Sequence, residues 1–320
     1  MPKVVLITNL PDDIKTAVLS YAPPGFETAA ISSAAPDEEK LALTRDADFL
    51  IVYGGTLSAT LLRSSPGVKH IQLLSAGYDR IDLALTSSLG IPVSNNGGAN
   101  SWAVAEATIA MILALLQRLT DADRFVREGR WRGDIQGFDT YELAGKTVGI
   151  VGLGNIGKKV ARRLHPFETK LLYADAVADP GLEAELGIHR LPLAELLPAV
   201  DVVTLHVPLL ASTKRMIGAA ELALMKPSAL LINTSRGDVI DEGALTEALR
   251  SRKLRGAGLD VFDKEPLPAD SPLMQMPNVV LSAHLAGTTY DTFFRRGEFA
   301  FENIKGIWAG AAPMAVVSES

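Results

Sequence analysis

The sequence predicts an α/β protein built from two doubly wound, parallel-sheet domains. At 320 residues the chain is longer than a typical single domain. Short β-rich runs alternate with helical patterns over the first 100 residues, and the same alternation restarts after Lys146. Strand followed by helix, repeated, is typical of a parallel sheet with helices on its faces. We therefore expect two such domains that share a cleft.

The first half contains four strand-like runs separated by helical segments. The runs read KVVLITNL, ADFLIVY, HIQLLSAG and IPVSN, and the segments between them include DDIKTAVLSY, TLSATLLRSS and DRIDLALTSSLG. No phosphate-type glycine loop is expected among these turns, and we interpret the Gly54-Gly55 pair as an ordinary turn because it lacks a third glycine.

A nearly apolar segment, Ser101 to Leu119, follows the first half. Glu106 interrupts it, and Gln117 and Arg118 close it, so it has fewer than the ~18 uninterrupted apolar residues of a membrane-spanning helix. We expect a buried helix that is capped by Ser101 and packs between domains or subunits. The polar stretch from Asp121 to Lys146 shows no sustained period.

The second half has six further strand-like runs: TVGIVGLG, KLLYAD, DVVTLHVPL, ALLINTSRG, GAGLDVF and NVVLSAHLAG. They predict a complete doubly wound domain over residues 101–287. The remaining segment, DTFFRRGEFAFENIKGIW, predicts one amphipathic helix with no strand after it. We expect this helix to return to the first half, which makes that domain discontinuous, with residues 1–100 and 288–320.

Composition argues against several classes of partner. The formal net charge is −6 and the 31 Lys and Arg residues are scattered, so we expect no nucleic-acid partner. The chain has no cysteine, which rules out a disulfide framework and a thiolate metal cluster. The start, MPKVVLITNL, is typical of a first strand rather than a signal peptide, so a cytoplasmic location without membrane association is the simplest expectation.

The segment GLGNIG predicts a dinucleotide-binding turn of the Rossmann type. Its glycines follow an apolar strand and open a helix: Gly152 permits the tight turn, Gly154 lets the backbone approach a pyrophosphate, and Gly157 allows close packing of helix on strand. The N–H groups at the helix start, from Asn155 onward, would face the phosphates.

An acidic residue strengthens this prediction. Asp175 lies 18 positions beyond Gly157, at the end of KLLYAD, where a carboxylate can accept hydrogen bonds from both ribose hydroxyls. It would repel a 2′-phosphate, and Ala176, Val177 and Ala178 supply no cation, so the sequence favours NAD over NADP. The alternative is that Asp175 is a solvated loop residue.

Three reactive side chains fall at or just beyond the carboxyl ends of strands: Arg236, Glu265 and His284. Ligands of open parallel sheets bind at this edge. Arg236 can grip a carboxylate and polarise a carbonyl through its planar fork. His284 can exchange the hydroxyl proton near neutral pH, and Glu265 can orient the imidazole and stabilise its charged form. Together they suggest oxidation of an alcohol next to a carboxylate, with a nicotinamide as hydride carrier.

Each of these residues also has an ordinary structural interpretation. Taken alone, Arg236 would be a surface or capping residue, Glu265 a solvated loop acid, and His284 a polar residue at a strand end. His206 is a competing base, but its apolar surroundings favour a buried, hydrogen-bonded role. His70, His165 and His189 receive no role, and no set of residues at metal-ligand spacing accompanies the site, so no metal is expected.

The ordered motifs GLGNIG, LHVPL, NTSRGDVIDEGAL, GAGLDVFDKEP and SAHLAG, with NNGGANSWAVAE, resemble those of the D-isomer-specific 2-hydroxyacid dehydrogenases from about Leu73 to Gly310. The resemblance implies a Rossmann domain inserted into a flavodoxin-like substrate domain, and usually a homodimer joined through the nucleotide domain and its long helix. It also implies catalytic roles for Arg236, Glu265 and His284.

The same resemblance implies finer roles for other positions. Asp260 matches the acid near the nicotinamide carboxamide. Ile156, Val207, Pro208, Thr213 and Thr234 match cofactor contacts. Ser75, Ala76 and Gly77 match the loop whose backbone N–H groups bind the substrate carboxylate, with Asn100 close by. Tyr53 is a candidate for substrate specificity.

Differences between this sequence and three groups of relatives reduce the range of substrates that we expect. Phosphoglycerate dehydrogenases carry an Arg in the loop that here reads Tyr53-Gly54-Gly55-Thr56, formate dehydrogenases have Gln where this chain has Glu265, and phosphite-oxidising relatives use a Lys in the loop at Ser75-Ala76. A small 2-keto acid such as glyoxylate, hydroxypyruvate or pyruvate is therefore expected. The alternative hypothesis is an NAD-sensing binding protein, like the corepressor relatives, with little turnover; the short segment after the last helix argues against it.

Overall fold

The computed structural model describes residues 1–132 and 139–318. The strands are β1 Lys3–Thr8, β2 Glu27–Ile31, β3 Phe49–Tyr53, β4 His70–Leu73, β5 Val93–Ser94, β6 Thr147–Val151, β7 Lys170–Ala174, β8 His189–Arg190, β9 Val202–Leu205, β10 Leu230–Asn233, β11 Gly256–Leu259, β12 Val279–Leu281 and β13 Val316–Val317. The helices are α1 Asp12–Leu19, α2 Asp37–Thr44, α3 Ala59–Arg63, α4 Leu83–Ser88, α5 Ser101–Gln117, α6 Leu119–Arg127, α7 Asn155–Leu164, α8 Pro180–Leu186, α9 Leu193–Ala199, α10 Ala219–Leu224, α11 Glu242–Arg250 and α12 Tyr290–Trp308.

The chain forms two compact units, Met1–Asn100 with Thr288–Ser320, and Ser101–Gly287. The sheet of the first unit has the order β13-β5-β4-β3-β1-β2, and β1 to β5 are parallel. The order β2-β1-β3-β4-β5 is that of flavodoxin-like folds, in which the direction of the order reverses between β1 and β3.

Successive side chains along the strands of the first unit point to opposite faces of the sheet, and both faces are apolar. Val5 and Ile7 of β1 belong to one core, and Val4 and Leu6 belong to the other. The second of these cores is completed by α12, which contributes Phe293, Ala300, Phe301 and Ile304. The C-terminal helix therefore packs on the sheet of the first unit, because its apolar stripe covers a face that α1 covers only in part.

The sheet of the second unit has the order β12-β11-β10-β9-β6-β7-β8, and all of its pairs are parallel. This is the Rossmann order extended by one strand, with its reversal between β6 and β9. Helices α9, α10 and α11 cover one face, and α5 and α7 cover the other. The predicted fold class, two doubly wound parallel-sheet domains, is confirmed.

Helix α5 is largely buried, as predicted, and packs on α7 and on strands β10 to β12. It ends where Arg118 takes a left-handed conformation with φ 50°. In the described part of the chain no single helix has the length and apolar character needed to cross a membrane. Only α5 and α6 taken together would meet that requirement, and they are bent by 62°.

Four elements differ from the sequence predictions. Residues 119–127, in and before the stretch predicted to lack a period, form α6, which buries no side chain and is held by ion pairs of Asp121 with Arg118 and Arg124 at 2.9 and 2.8 Å. The predicted absence of a strand after the last helix is wrong, because β13 pairs antiparallel with β5. The edge strands β2 and β8 were missed because neither has an apolar run. Part of the polar stretch, residues 133–138, lies outside the described residues.

Candidate active site

The glycine-rich turn after β6 has a different geometric requirement at each glycine. Gly152 has φ 91°, and a Cβ there would lie 2.7 Å from the carbonyl oxygen of His206. A Cβ on Gly157 would lie 2.1 Å from the carbonyl oxygen of Gly152, so the third glycine lets α7 pack against the strand end. A Cβ on Gly154 meets nothing within 4 Å. The backbone at Gly154, at the start of α7, is therefore open to a ligand, and anions are favoured at a helix N-terminus.

A cavity of about 900 Å³ lies beside this turn, at the carboxyl ends of β6, β7 and β9, where the strand order reverses. Its size and position suit a nucleotide. Six of the predicted cofactor residues line it: Gly152, Gly154, Asp175, Val207, Pro208 and Thr213. The residues present therefore fit a dinucleotide.

The carboxylate of Asp175 is held in place by the backbone. One oxygen accepts a hydrogen bond from the N–H of Leu153 at 2.6 Å, and the other accepts from the N–H of Val177 at 3.0 Å. Each oxygen retains a lone pair for a ribose hydroxyl. The Asp175 carboxylate is therefore not a freely solvated loop acid. It connects the glycine turn to the end of β7.

The sequence reasoning missed a cation in this cavity. Arg190 of β8 lines it and donates hydrogen bonds to the carbonyl oxygens of Asp175 at 2.9 Å and Ala176 at 2.8 Å. It lies 15 positions along the chain from Asp175, so only the parallel pairing of β7 with β8 brings the two together. The guanidinium fixes the loop that carries the acid.

The other predicted cofactor residues lie elsewhere in the second unit. Asn155 begins α7, and Ile156 packs partly against the core beneath it. Thr234 is 7% exposed, and its hydroxyl is 3.0 Å from that of Thr108 on α5. In the cavity lining itself, the hydroxyl of Thr213 donates to the carbonyl oxygen of Pro208 at 2.6 Å and closes the loop after β9.

Two of the predicted reactive residues, Arg236 and His284, and the predicted cofactor residue Asp260 follow three neighbouring strands. Arg236 comes after β10, Asp260 directly after β11, and His284 after β12. Neighbouring strands are about 4.8 Å apart, so these three strand ends fall within roughly 10 Å of one another. The strand order alone therefore concentrates a guanidinium, a carboxylate and an imidazole at one edge of the sheet.

His284 and Glu265 form a hydrogen-bonded pair. The Nδ1 atom of His284 is 2.8 Å from Oε2 of Glu265, and the side chains are 44% and 24% exposed. The other carboxylate oxygen of Glu265 accepts from the N–H of Phe262 at 3.2 Å. Since Nδ1 is engaged, Nε2 is the atom of His284 that can exchange a proton with a bound substrate.

The backbone at His284 adopts an uncommon conformation, and Asp260 holds it there. His284 has φ 56°, in the left-handed region that non-glycine residues seldom occupy. Asp260 is 1% exposed; its carbonyl oxygen accepts from the N–H of His284 at 2.8 Å, and its carboxylate accepts from the N–H groups of Leu285 and Ala286 at 2.8 and 3.0 Å. Asp260 therefore sets the direction of the imidazole, a role that the sequence did not indicate.

Arg236 is fixed through its backbone and its neighbour. Its carbonyl oxygen accepts from the side-chain amide of Asn233 at 2.8 Å, and its own Nη1 donates to the carbonyl oxygen of Ser235 at 2.7 Å. A Cβ on the next residue, Gly237, would lie 2.0 Å from the carbonyl carbon of Phe262. The turn that carries Arg236 thus packs directly on the loop that leads to Glu265.

His206 is half-buried and hydrogen-bonded, and it also lines the dinucleotide cavity. Its Nε2 is 2.9 Å from the hydroxyl of Thr204, and burial lowers the pKa of His206 to about 3. His70 is buried, and burial lowers its pKa to about 4. Both rings are therefore neutral at physiological pH and are poor proton carriers. Among the residues that the structure describes, no group of three or more His, Asp or Glu side chains could hold a metal ion.

Acidic side chains crowd the loop between β11 and Glu265. Partial burial and the neighbouring Glu242, Asp238 and Asp241 raise the pKa of Asp263 to about 6, and Arg215 opposes this shift. A pKa raised in the folded state means that folding favours the protonated acid. The resulting stabilisation is complete below the unfolded pKa near 4 and is lost as the pH rises through 6.

We therefore expect Asp263→Asn to stabilise the protein at pH 8 and not at pH 4. Solvent screening limits the gain, so a rise of roughly one to two degrees in Tm is expected at pH 8. Thermal unfolding at both pH values measures it, with Asp270→Asn in an exposed loop as the control. An equal shift at both pH values would show that the charge of Asp263 is not responsible.

The first unit contains the predicted substrate loop, after β4. The hydroxyl of Ser75 donates to the carbonyl oxygen of Gly77 at 2.7 Å, and the side chain of Asn95 donates to the carbonyl oxygen of Ala76 at 3.2 Å. Asn100 is 8% exposed, and its Oδ1 has no hydrogen-bond partner among the described residues. Tyr53 ends the neighbouring strand β3, and its hydroxyl is 3.3 Å from that of Thr288.

A Rossmann-ordered sheet with a dinucleotide cavity, and a His–Glu pair at its carboxyl edge, defines an oxidoreductase that uses a nicotinamide dinucleotide. Comparison with known sequences specifies the class further. Residues 109–286 match the family described as D-isomer specific 2-hydroxyacid dehydrogenase, NAD binding domain. The chain belongs to this family, and it is a hydride-transfer enzyme acting on small 2-hydroxy and 2-keto acids.

Relatives across the family align with most of the chain. A glyoxylate reductase from Korarchaeum cryptofilum is 39% identical over 281 residues, which are 86% of this chain and 84% of that protein. A D-3-phosphoglycerate dehydrogenase from Methanocaldococcus jannaschii is 36% identical over 283 residues, 88% of this chain and 53% of that protein. The crystal structure of an NADPH-dependent glyoxylate/hydroxypyruvate reductase from Sinorhizobium meliloti, in complex with NADP and malonate, is 31% identical and covers 99% of this chain and 97% of that chain with a TM-score of 0.86.

Proposed function

We propose that this chain reduces a small 2-keto acid of the glyoxylate, hydroxypyruvate or pyruvate type to the D-2-hydroxy acid with NADH. The observation that carries the proposal is the contact of 2.8 Å between Nδ1 of His284 and Oε2 of Glu265 at the edge of the sheet that carries the dinucleotide turn. The glyoxylate reductase relative supports the choice of substrate class.

The proposed steps follow from the protonation of each side chain. When bound, the nicotinamide supplies the hydride. Arg236 binds the substrate carboxylate and polarises the carbonyl through its fork of N–H donors. His284 donates the proton from Nε2 to the carbonyl oxygen while Glu265 stabilises the imidazolium through Nδ1. Because the His284 side chain is 44% exposed, solvent can restore its proton after each turnover.

The first unit is proposed to bind the substrate carboxylate. The backbone N–H groups of Ser75, Ala76 and Gly77 follow β4, and Asn100 supplies a buried amide whose Oδ1 lacks a partner among the described residues. Asp260 is 1% exposed, and both of its carboxylate oxygens already accept backbone hydrogen bonds. We therefore further propose that Asp260 supports the cofactor site indirectly, by holding the loop of Leu285 and Ala286.

A substrate screen tests the proposed function. Initial rates of NADH and NADPH oxidation are measured with glyoxylate, hydroxypyruvate, pyruvate and longer 2-keto acids, on protein shown to bind NADH by fluorescence titration. Turnover of at least one of the three small acids is expected. NADH binding with no turnover of any acid would overturn the proposal and favour the alternative of an NAD-sensing binding protein.

We propose NAD as the preferred cofactor, on the basis of the Asp175 carboxylate. The expected result for Asp175→Ala is a rise of about tenfold to a hundredfold in the ratio of kcat/KM for NADPH to that for NADH, since loss of a charged hydrogen-bond acceptor costs about 1.5–3 kcal/mol and the repulsion of a 2′-phosphate disappears. Arg190 is left as the cation of the cavity.

The double variant Asp175→Ala/Arg190→Ala is the matched control for this cofactor prediction. It should lose most of the gain with NADPH, because a 2′-phosphate would then meet neither the repelling acid nor the cation. A wild-type protein that already prefers NADPH, as the relative from Sinorhizobium meliloti does by its name, would refute the assignment.

The proposal includes a cytoplasmic homodimer joined through the nucleotide-binding unit. The support is a set of exposed apolar side chains on and after α5 and α6: Trp102 at 45%, Leu119 at 62%, Val126 at 54% and Trp131 at 70% exposure. Exposed aromatic and apolar side chains are enriched at protein interfaces. Light scattering after size exclusion should give twice the chain mass of 34.1 kDa.

A further inference from the structure

A buried guanidinium lies on the helix face that covers the sheet of the first unit. Arg296 of α12 is 3% exposed and belongs to the stripe that includes Phe293, Ala300 and Phe301. An apolar residue would serve packing better at this position, since a charge taken out of water costs several kcal/mol unless its neighbours compensate. Burial lowers the pKa of Arg296, although a guanidinium stays protonated.

Tyr53 and Phe293 contribute to this compensation. The guanidinium carbon of Arg296 lies 5.0 Å from the centroid of the Tyr53 ring and 4.9 Å from that of Phe293, and these two rings pack edge to face at 5.5 Å. The Tyr53 hydroxyl is also close enough to Arg296 for a side-chain hydrogen bond, which raises the pKa of Arg296 and opposes the effect of burial. A guanidinium has donors and no acceptor, so the phenol oxygen must be the acceptor in this bond.

The direction of this hydrogen bond determines where the phenol hydrogen of Tyr53 can point. With its oxygen accepting from Arg296, the Tyr53 hydroxyl must direct its hydrogen elsewhere. Its other neighbour is the hydroxyl of Thr288 at 3.3 Å, which is longer than the usual 2.7–2.8 Å of a bond between hydroxyls. The phenol hydrogen is therefore weakly held and available to a better acceptor.

Tyr53 stands where such an acceptor would bind. It is the last residue of β3, at the reversal of strand order, and Val52 of β3 pairs with Leu73 of β4. The loop of Ser75, Ala76 and Gly77 follows β4 directly, so the phenol and the proposed carboxylate-binding loop lie at neighbouring strand ends. Ligands of doubly wound sheets bind at this reversal.

We propose that Arg296 is a positioning residue that makes Tyr53 a committed hydrogen-bond donor, and that this donor selects 2-keto acids with a hydroxyl on C3. The inference rests on the proposed function and specifies its substrate. Hydroxypyruvate offers the phenol an oxygen on C3, whereas pyruvate offers a methyl group that would leave the donor unpaired. A site built to pair with a hydroxyl discriminates against analogues that lack it.

The experiment compares Tyr53→Phe with the wild-type protein on two matched ligand pairs. The first readout is the ratio of kcat/KM for hydroxypyruvate to that for pyruvate. The second is the ratio of the Kd values of D-lactate and D-glycerate, measured by calorimetry on the NADH-bound protein, in which neither hydroxy acid can react. Loss of one hydrogen bond should lower both ratios about tenfold.

Variants at Arg296 test the positioning role. Arg296→Met keeps the volume and removes the donor, so it should lower both ratios about threefold or more, with the loss in KM for hydroxypyruvate rather than in kcat. Arg296→Lys, which restores a donor and a charge, should recover most of the preference. Tyr21→Phe removes a hydroxyl from a tyrosine packed on the same core and should leave both ratios unchanged.

The possible outcomes separate this inference from the proposed function. If no 2-keto acid is turned over but D-glycerate binds better than D-lactate and Tyr53→Phe removes the difference, the proposed reaction is wrong and the selective donor stands. If the wild-type protein shows no preference in either readout, or Tyr53→Phe and Arg296→Met leave the ratios unchanged while Tm shows the variants folded, the inference is overturned.

Discussion

His284→Ala should lower kcat for the preferred 2-keto acid by about 10²–10⁴-fold, because the variant lacks the group that delivers the proton to the carbonyl oxygen. The Kd for NADH should change by no more than about twofold, since the lining of the dinucleotide cavity does not include residue 284. Steady-state kinetics and fluorescence titration of NADH provide the two measurements.

The matched control is His165→Ala, which removes an exposed imidazole beyond the end of α7 and should keep full activity. Alanine keeps a Cβ at the left-handed residue 284 and tolerates this conformation less well than histidine, so thermal unfolding accompanies the kinetics. A folded His284→Ala protein with wild-type kcat would reject the assignment of the proton donor. A protein that loses NADH binding in proportion to activity would place the residue in cofactor binding instead.

Arg236→Gln should lower kcat/KM by about 10²–10³-fold, the usual effect of removing a donor that stabilises developing negative charge. Glutamine preserves much of the length and polarity but provides neither the positive charge nor the paired N–H groups. The backbone at residue 236 is anchored by Asn233 and by the packing of Gly237 on Phe262, so the turn should keep its shape.

Two further variants sharpen the interpretation of Arg236. Arg236→Lys keeps the charge without the fork and should recover less than a tenth of the lost activity. Arg252→Gln removes an exposed guanidinium after α11 and should have no effect on kcat/KM. If Arg236→Gln were as active as the Arg252 variant, the substrate would have to be bound and polarised by other groups.

The elements of the site could be predicted from the sequence because parallel sheets align their carboxyl ends. Arg236, Asp260 and His284 each follow an apolar run, and adjacent strands carry them in the structure. The contact between His284 and Glu265 spans 19 positions, too far for a local pattern, but both residues follow strands that the sequence identifies. The distances themselves required the structure.

Other features depend on tertiary contacts that no local pattern reveals. Asp260 has the same appearance in sequence whether it faces a cofactor or holds the His284 loop, and the structure shows the hydrogen bonds to Leu285 and Ala286. Arg190 meets the Asp175 loop only because β8 pairs with β7. Arg296 lies on a helix whose pattern predicts an apolar residue there, and its partner Tyr53 is more than two hundred positions away.

The most direct test of the central claim identifies the product. Whichever of hydroxypyruvate and pyruvate turns over faster is incubated with NADH and purified protein, and the hydroxy acid formed is resolved by chiral chromatography against both enantiomers. We predict one D-2-hydroxy acid formed per NADH oxidised, with the rate lowered at least about a hundredfold in His284→Ala. Formation of the L-isomer, or NADH oxidation without a hydroxy acid product, would contradict the central claim.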